Sequence, residues 1–171
     1  MSEPDEFEAR AAERVATAAA AAGTPVDLDT FAATFALFRV SARVVADLES
    51  RVHRPAGLSS AGFRVLFTVW VFESLEPRQI ARFSGVSTAA VSGVVSTLER
   101  RGLVRKQRRT DDRRRLDVRL TPAGRALVAE VYTNQNEREG VVFADFEPDE
   151  LAAFTRSLRR LLGTPFDQVS P

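Results

Sequence analysis

The chain has 171 residues, 44% of them apolar and 27% charged, with a net charge of only +1. That is the make-up of a soluble globular protein, long enough to bury roughly two thirds of its unfolded surface in one core. It has no cysteine, which excludes disulfides, thiol redox chemistry and zinc fingers, and no apolar run approaches the ~20 residues of a membrane span. The start, MSEPDEFEAR, is acidic and lacks the basic and apolar regions of a signal peptide, so a cytoplasmic location is expected.

Ser2 to Ala22 reads as a helix, with Ser2 as a cap, Pro4 in the first turn and acids early, where they suit the helix dipole. Its alanines favour helix but offer little area to bury. Residues 1–26 are therefore expected to be a helical extension, either packed across a second copy or loosely held. Asp27 or Asp29 caps a long helix to about Val52, in which Phe31, Phe35, Phe38, Val45, Leu48 and Val52 recur at spacings of three, four and seven. Arg54-Pro55-Ala56-Gly57 breaks it. Ser59 or Ser60 caps the next helix, which runs through Phe63, Leu66, Phe67 and Trp70 to about Phe72. Glu76-Pro77 opens a short helix over Arg78 to Phe83, and Ser84-Gly85-Val86 is a tight turn before another helix. Two helices about such a turn form a helix-turn-helix.

The second of the two helices starts at Ser87, a good cap. Val91, Val94, Val95 and Leu98 make its apolar stripe, while Thr88, Ala89, Ser92, Gly93 and Ser96 make a small, uncharged outer face. An exposed face is usually charged, so this one suggests close approach to a partner. Gly102 is the expected left-handed residue that ends the helix. Leu103-Val104 starts a strand; Leu116, Val118 and Leu120 alternate with Asp117 and Arg119 as a second one. Between them Thr110 to Arg115 is a hairpin tip too charged to be buried. Helix, ribbon and basic tip in this order predict a winged helix-turn-helix.

Arg100 to Arg125 holds eleven basic and three acidic residues, a net charge of +8; the rest of the chain therefore carries −7. A near-neutral total thus conceals a strongly basic patch, the footprint of a polyanion partner. Thr121 then caps a helix that starts at Pro122 and runs to about Phe143, with a bend expected at the weakly helical Thr133-Asn134-Gln135-Asn136. A last helix opens at Glu147-Pro148 and presents Leu151, Phe154, Leu158, Leu161 and Leu162 on one apolar face that needs a cover.

Three stretches carry a resemblance: Leu58 to Leu66 (LSSAGFRVL), VSTAAVSGVVSTLERRGLVRK from Val86, and DDRRRLDVRLTPAG from Asp111 to Gly124. Over roughly Phe31 to Leu162 the chain resembles the MarR family of bacterial transcription regulators. The third stretch is the most specific, an Asp-x-Arg wing signature at Asp112 and Arg114 followed by a strand ending Leu-Thr. The resemblance implies a mainly α fold with a small β-hairpin wing. Residues 58–121 would be the winged helix-turn-helix, and helices 28–54 and 122–163 would dimerise, within a MarR-type domain of 27–171. It implies a homodimer on double-stranded DNA with two recognition helices about 34–36 Å apart, and a role as repressor on an inverted-repeat operator. Ser87, Thr88, Ser92 and Ser96 would contact bases, Ala89 a thymine methyl, and Arg105, Arg109, Arg113, Arg114 and Arg115 the backbone or minor groove, with Asp112 orienting Arg114. Gly93 departs from the family, in which many relatives carry a long polar side chain there.

Effector sites in the family lie where the dimer helices meet the winged domain. Phe38, Phe63, Phe67, Trp70 and Phe72 are candidates for a pocket that holds a small aromatic molecule, with Arg39, Arg43 and Arg64 available to an anionic one; each aromatic also reads as ordinary core. The alternative to a ligand-responsive repressor is a winged helix that only compacts DNA or docks a protein. Enzyme chemistry finds no purchase. His53 is the lone histidine and reads as a surface or capping residue, Asp111-Asp112 sits among arginines, and no Gly-rich phosphate loop exists. No cofactor and no metal site are expected.

Overall fold

The computed structural model describes residues 3–108 and 116–164. The chain divides at Ser60 into two compact units.

The first unit holds α1 (Glu3–Ala22) and α2 (Leu28–Leu48). Asp27 caps α2; one carboxylate oxygen accepts from the N–H groups of Asp29 and Thr30, each at 3.0 Å. These bonds and the Thr30 hydroxyl hold the Asp27 carboxyl below its ordinary range, the hydroxyl contributing most. Phe7 of α1 meets Phe35 at 5.6 Å, Phe35 stacks on Phe31 at 5.3 Å, and the Arg39 guanidinium lies over Phe7 and Phe35. The N-terminal helix is thus packed on α2 of its own chain. The helix expected to reach Val52 changes character at Glu49–His53, a π-helical turn closed by the Arg54 N–H donating to the Glu49 carbonyl at 2.9 Å. Val52 and His53 are both buried there, so His53, 3% exposed, is not the surface residue that its place at a helix end suggested.

The second unit contains α3 (Ser60–Phe72), α4 (Pro77–Ser84), α5 (Thr88–Arg100), a ribbon of β1 (Val104–Arg108) and β2 (Leu116–Leu120), then α6 (Pro122–Val142) and α7 (Pro148–Leu162). A capping box between Glu76 and Gln79 starts α4, with Pro77 at its first position. Gly85 ends it in the left-handed conformation, φ 63°. The core gathers Leu66, Val69, Ile80, Val91, Val95 and Val118, all at most 1% exposed. β1 and β2 pair antiparallel, with Val104 opposite Leu120 and Arg108 opposite Leu116. Leu75 adds one further bridge, to Val118. The fold is the mainly helical one with a β-ribbon that the sequence predicts.

One joint ties the ribbon to the helices on either side. The Thr121 hydroxyl donates to the Gly102 carbonyl at 2.6 Å and accepts from the Gly124 N–H at 3.0 Å, while the Thr121 N–H donates to the Leu103 carbonyl at 3.0 Å. A Cβ on Gly124 would overlap the Leu103 carbonyl, so only glycine lets α6 start this close to the end of α5. α6 then runs helical without a break through Thr133–Asn136, where a bend was expected. Thr133 bonds the Ala129 carbonyl and Gln135 bonds Glu139, so these polar side chains support the helix instead of competing with it. Among the described residues, no helix is long and apolar enough to cross a membrane.

Candidate nucleic-acid interface

Ser87 stands in extended conformation before α5, and its hydroxyl accepts from the Ala90 N–H at 3.3 Å. From that start the helical period sorts the side chains. Val91, Val95 and Leu98 are buried and Val94 is half-buried; Thr88, Ala89, Ser92, Gly93 and Ser96 are all exposed. The outer face is therefore accessible along its length and carries no charge. At its centre, nothing lies within 4 Å of the place a Gly93 Cβ would take. No packing inside the chain requires a glycine there.

The ribbon supplies charge beside that face. Arg105 and Arg119 are register partners on adjacent strands, and both are exposed. Like charges directly opposite weaken a sheet unless something neutralises them, so this pair favours an anion. Lys106 is engaged differently: its Nζ lies 2.8 Å from Glu99 and its N–H donates to the same carboxylate at 3.1 Å. The Lys106 side-chain bond, then its backbone N–H, hold the Glu99 carboxyl below its ordinary range. The Ser74 hydroxyl donates to Asp117 at 2.9 Å on the other strand. The base of the ribbon is thus fastened to α5 and to the loop after α3, while Arg105, Arg108 and Arg119 stay outward. Arg109, Asp112, Arg113, Arg114 and Arg115, the tip residues of the expected site, lie outside the described residues.

Between α4 and the start of α5 opens a cleft of about 720 Å³, lined by Arg78, Gln79 and Arg82 on one side and Gly85, Ser87 and Thr88 on the other. A methyl group on Gly85 would overlap the Arg64 guanidinium, which therefore lies against the helix-turn-helix turn.

On α3 and α6 a second feature gathers. Phe67 stacks on Phe63 at 5.9 Å and on Tyr132 at 5.3 Å, and Trp70 meets both Phe67 and Tyr132 within 6.0 Å. Three of the five expected pocket aromatics therefore come together. Phe38 belongs to the first unit and stands 69% exposed on α2. Phe72 leaves the group to stack on Phe83 at 4.6 Å. Of the arginines offered to an anionic ligand, Arg39 covers Phe7 and Phe35 and Arg64 lies against Gly85. Among the described residues, no three His, Cys, Asp or Glu side chains are grouped to hold a metal.

Residues 58–116 match the sequence profile of the MarR family. Over 136 residues the chain is 33% identical to YwaE of Bacillus subtilis, an HTH-type transcriptional regulator, covering 80% of each sequence. The chain belongs to the MarR family. MarR proteins are DNA-binding transcription regulators rather than enzymes, and so is this one. The MarR fold is also that of BpsR from Bordetella bronchiseptica, whose DNA binding is regulated by 6-hydroxynicotinic acid. BpsR superposes with a TM-score of 0.69 and 28% identity, over 75% of this chain and 97% of its own. The transcriptional repressor YetL of Bacillus subtilis is 26% identical over 116 residues, 67% of each chain.

Four functional candidates escaped the sequence reading of this MarR chain. Arg78 and Arg82 stand four apart on α4, a spacing that places them on one helix face and could have marked them. Arg119 was counted in the basic run, but only the strand register sets it opposite Arg105. Tyr132 is the single tyrosine, on a helix of weak amphipathicity, and no local signal connects it to Phe67.

Proposed function

We propose that this MarR-family regulator is a repressor that binds an inverted-repeat operator as a homodimer and is released by a small aromatic molecule. The observation that carries the DNA geometry is the pairing of two surfaces: the uncharged outer face of α5 and the exposed Arg105–Arg119 pair on the adjoining ribbon. A small-residue helix face can lie close against base edges, while guanidinium groups beside it meet the phosphates. In this reading Thr88, Ala89, Ser92 and Ser96 read bases. Arg105 meets the backbone with Arg109, Arg113 and Arg115, and Arg114, oriented by Asp112, enters the minor groove. Helices 28–54 and 122–163 supply the dimer contacts, residues 1–26 are an extension, and the protein works in the cytoplasm. The repressor role is supported by YetL, and release by an aromatic ligand by BpsR together with the Phe63, Phe67, Trp70 and Tyr132 rings.

Footprinting on the DNA flanking its own gene, followed by titrations on the protected site and on scrambled DNA, tests this reading. A protected inverted repeat is expected, with Ser92→Ala or Thr88→Ala relaxing preference at particular base pairs by about 1–3 kcal/mol. Asp112→Ala is expected to weaken binding, although it removes a negative charge. Protection without sequence preference would instead favour a DNA-compacting protein, and tighter binding by Asp112→Ala would reduce the wing to a charged surface.

A further inference from the structure

We infer that Arg64, Arg78 and Arg82 form a clamp for a DNA phosphodiester around the helix-turn-helix turn, a role that no part of the basic wing supplies. The inference rests on the DNA-binding reading and adds to it a second, separate backbone contact.

The three guanidinium groups come from two helices. Arg78 and Arg82 stand one turn apart on α4 and line the cleft that opens at the start of α5. Arg64 comes from α3, and its guanidinium lies where a Gly85 side chain would be, with Cζ 3.6 Å from the position of that missing Cβ. Gly85 lines the same cleft. The glycine thus does two things: its φ of 63° turns the chain between α4 and α5, and its bare Cα admits an arginine from a third helix.

The charge in this cleft is one-sided. No carboxylate among the described residues lines it. Among the described residues, the ion pairs are Arg10–Glu6, Arg51–Asp47, Arg54–Glu49 and Lys106–Glu99, and none of them neutralises Arg64, Arg78 or Arg82. All three arginines are exposed. Like charges gathered without a counter-charge repel one another, and the arrangement becomes favourable when an anion enters. The cleft also opens beside Ser87 and Thr88, at the positive end of the α5 dipole. The cleft is broad and open rather than enclosed, a shape that suits an extended chain lying across it more than a lone ion. The anion that fits is the sugar–phosphate backbone next to the groove that α5 enters, for which planar, forked guanidinium groups are well suited.

The test compares Arg64→Ala, Arg64→Lys, Arg78→Ala and Arg82→Ala with the wild-type protein, on operator and on scrambled DNA across a salt series. Circular dichroism confirms that each variant is folded. A phosphate contact is blind to sequence, so each alanine variant is expected to lose affinity by the same factor on both DNAs, about five-fold near 0.15 M salt. Each is also expected to flatten the log–log salt slope by about 0.9. Arg64→Lys, which keeps the charge, is expected to retain the wild-type slope. Wild-type binding with unchanged affinity and slope in the alanine variants would overturn the clamp and leave the DNA-binding reading standing. A loss confined to the operator, or a loss with the slope intact, would overturn it too, because it would point to base contacts or to shape. Wild-type protein that binds neither DNA would overturn the DNA-binding reading itself, and the clamp with it.

Discussion

Glu99 shows how much a single residue depends on a partner that sequence does not reveal. It lies in the last turn of α5, where a negative charge opposes the helix dipole. Lys106, seven residues on, donates to it twice and holds its carboxyl below the ordinary value of 4.5. Because the folded state lowers this pKa, the contact contributes stability above pH 4.5 and loses it as the pH falls through the lower, folded value. A carboxyl titration followed by NMR is expected to place the Glu99 midpoint below 4.5, and Lys106→Met to return it toward that value. In the sequence, Glu99 is simply an acid before two arginines. The bond to Lys106 exists only because Gly102 turns the chain and sets β1 beside the end of α5. His53 teaches the same lesson in the other direction. Its neighbours Arg54 and Pro55 argued for exposure, and a π-helical turn, for which the sequence has no plain signature, buried it instead.

At the scale of elements the sequence was far more legible. Caps at Asp27, Ser87 and Thr121, and the glycine turns at 85 and 102, appear in the structure where spacing and turn chemistry expect them. Each of those signals is local, which is why they survive without tertiary context. What the chain did not disclose was the different work of two glycines in α6. Gly124 is pressed against the Leu103 carbonyl, whereas nothing lies within 4 Å of a Cβ on Gly140. Gly124→Ala is expected to lower stability by about 1–3 kcal/mol through overpacking against backbone. Gly140→Ala, on the same helix, is expected to raise it by about 0.5–1 kcal/mol through lower backbone entropy. Urea unfolding of the two variants checks this, and equal effects of the same sign would remove the special role of the Gly124 joint.

For the molecule as a whole, the apolar surface left uncovered is the main fact. α7 has no buried residue; Leu161 is half exposed and Leu162 85% exposed, and on α2 Phe38 and Val40 are also open. Phe154 packs on Phe143 and Phe146, but a helix with no buried residue is marginal in water by itself, and a second copy covering this face is the proposed remedy. Leu158→Glu with Leu161→Glu is expected to raise the dissociation constant of a two-chain species by at least about 30-fold, the scale of a lost interface hot spot. Sedimentation over a range of concentrations reads it, and a wild-type monomer at micromolar concentration would refute the dimer. The sequence could name this stripe but not its cover, since whatever covers a face leaves no mark in a single chain's periodicity. The Thr121 joint has a consequence for any such assembly. Because the Thr121 hydroxyl bonds both Gly102 and Gly124, the start of α6 and the foot of the ribbon share one joint, and a tilt of α6 is expected to carry the ribbon with it. A five-residue strand is ~17 Å long, so tilting α6 by about 10° sweeps the far end of the ribbon through ~3 Å. That is about half the ~6 Å width of a minor groove, enough, in the proposed DNA complex, to draw a wing arginine out of it without loosening a single turn of helix.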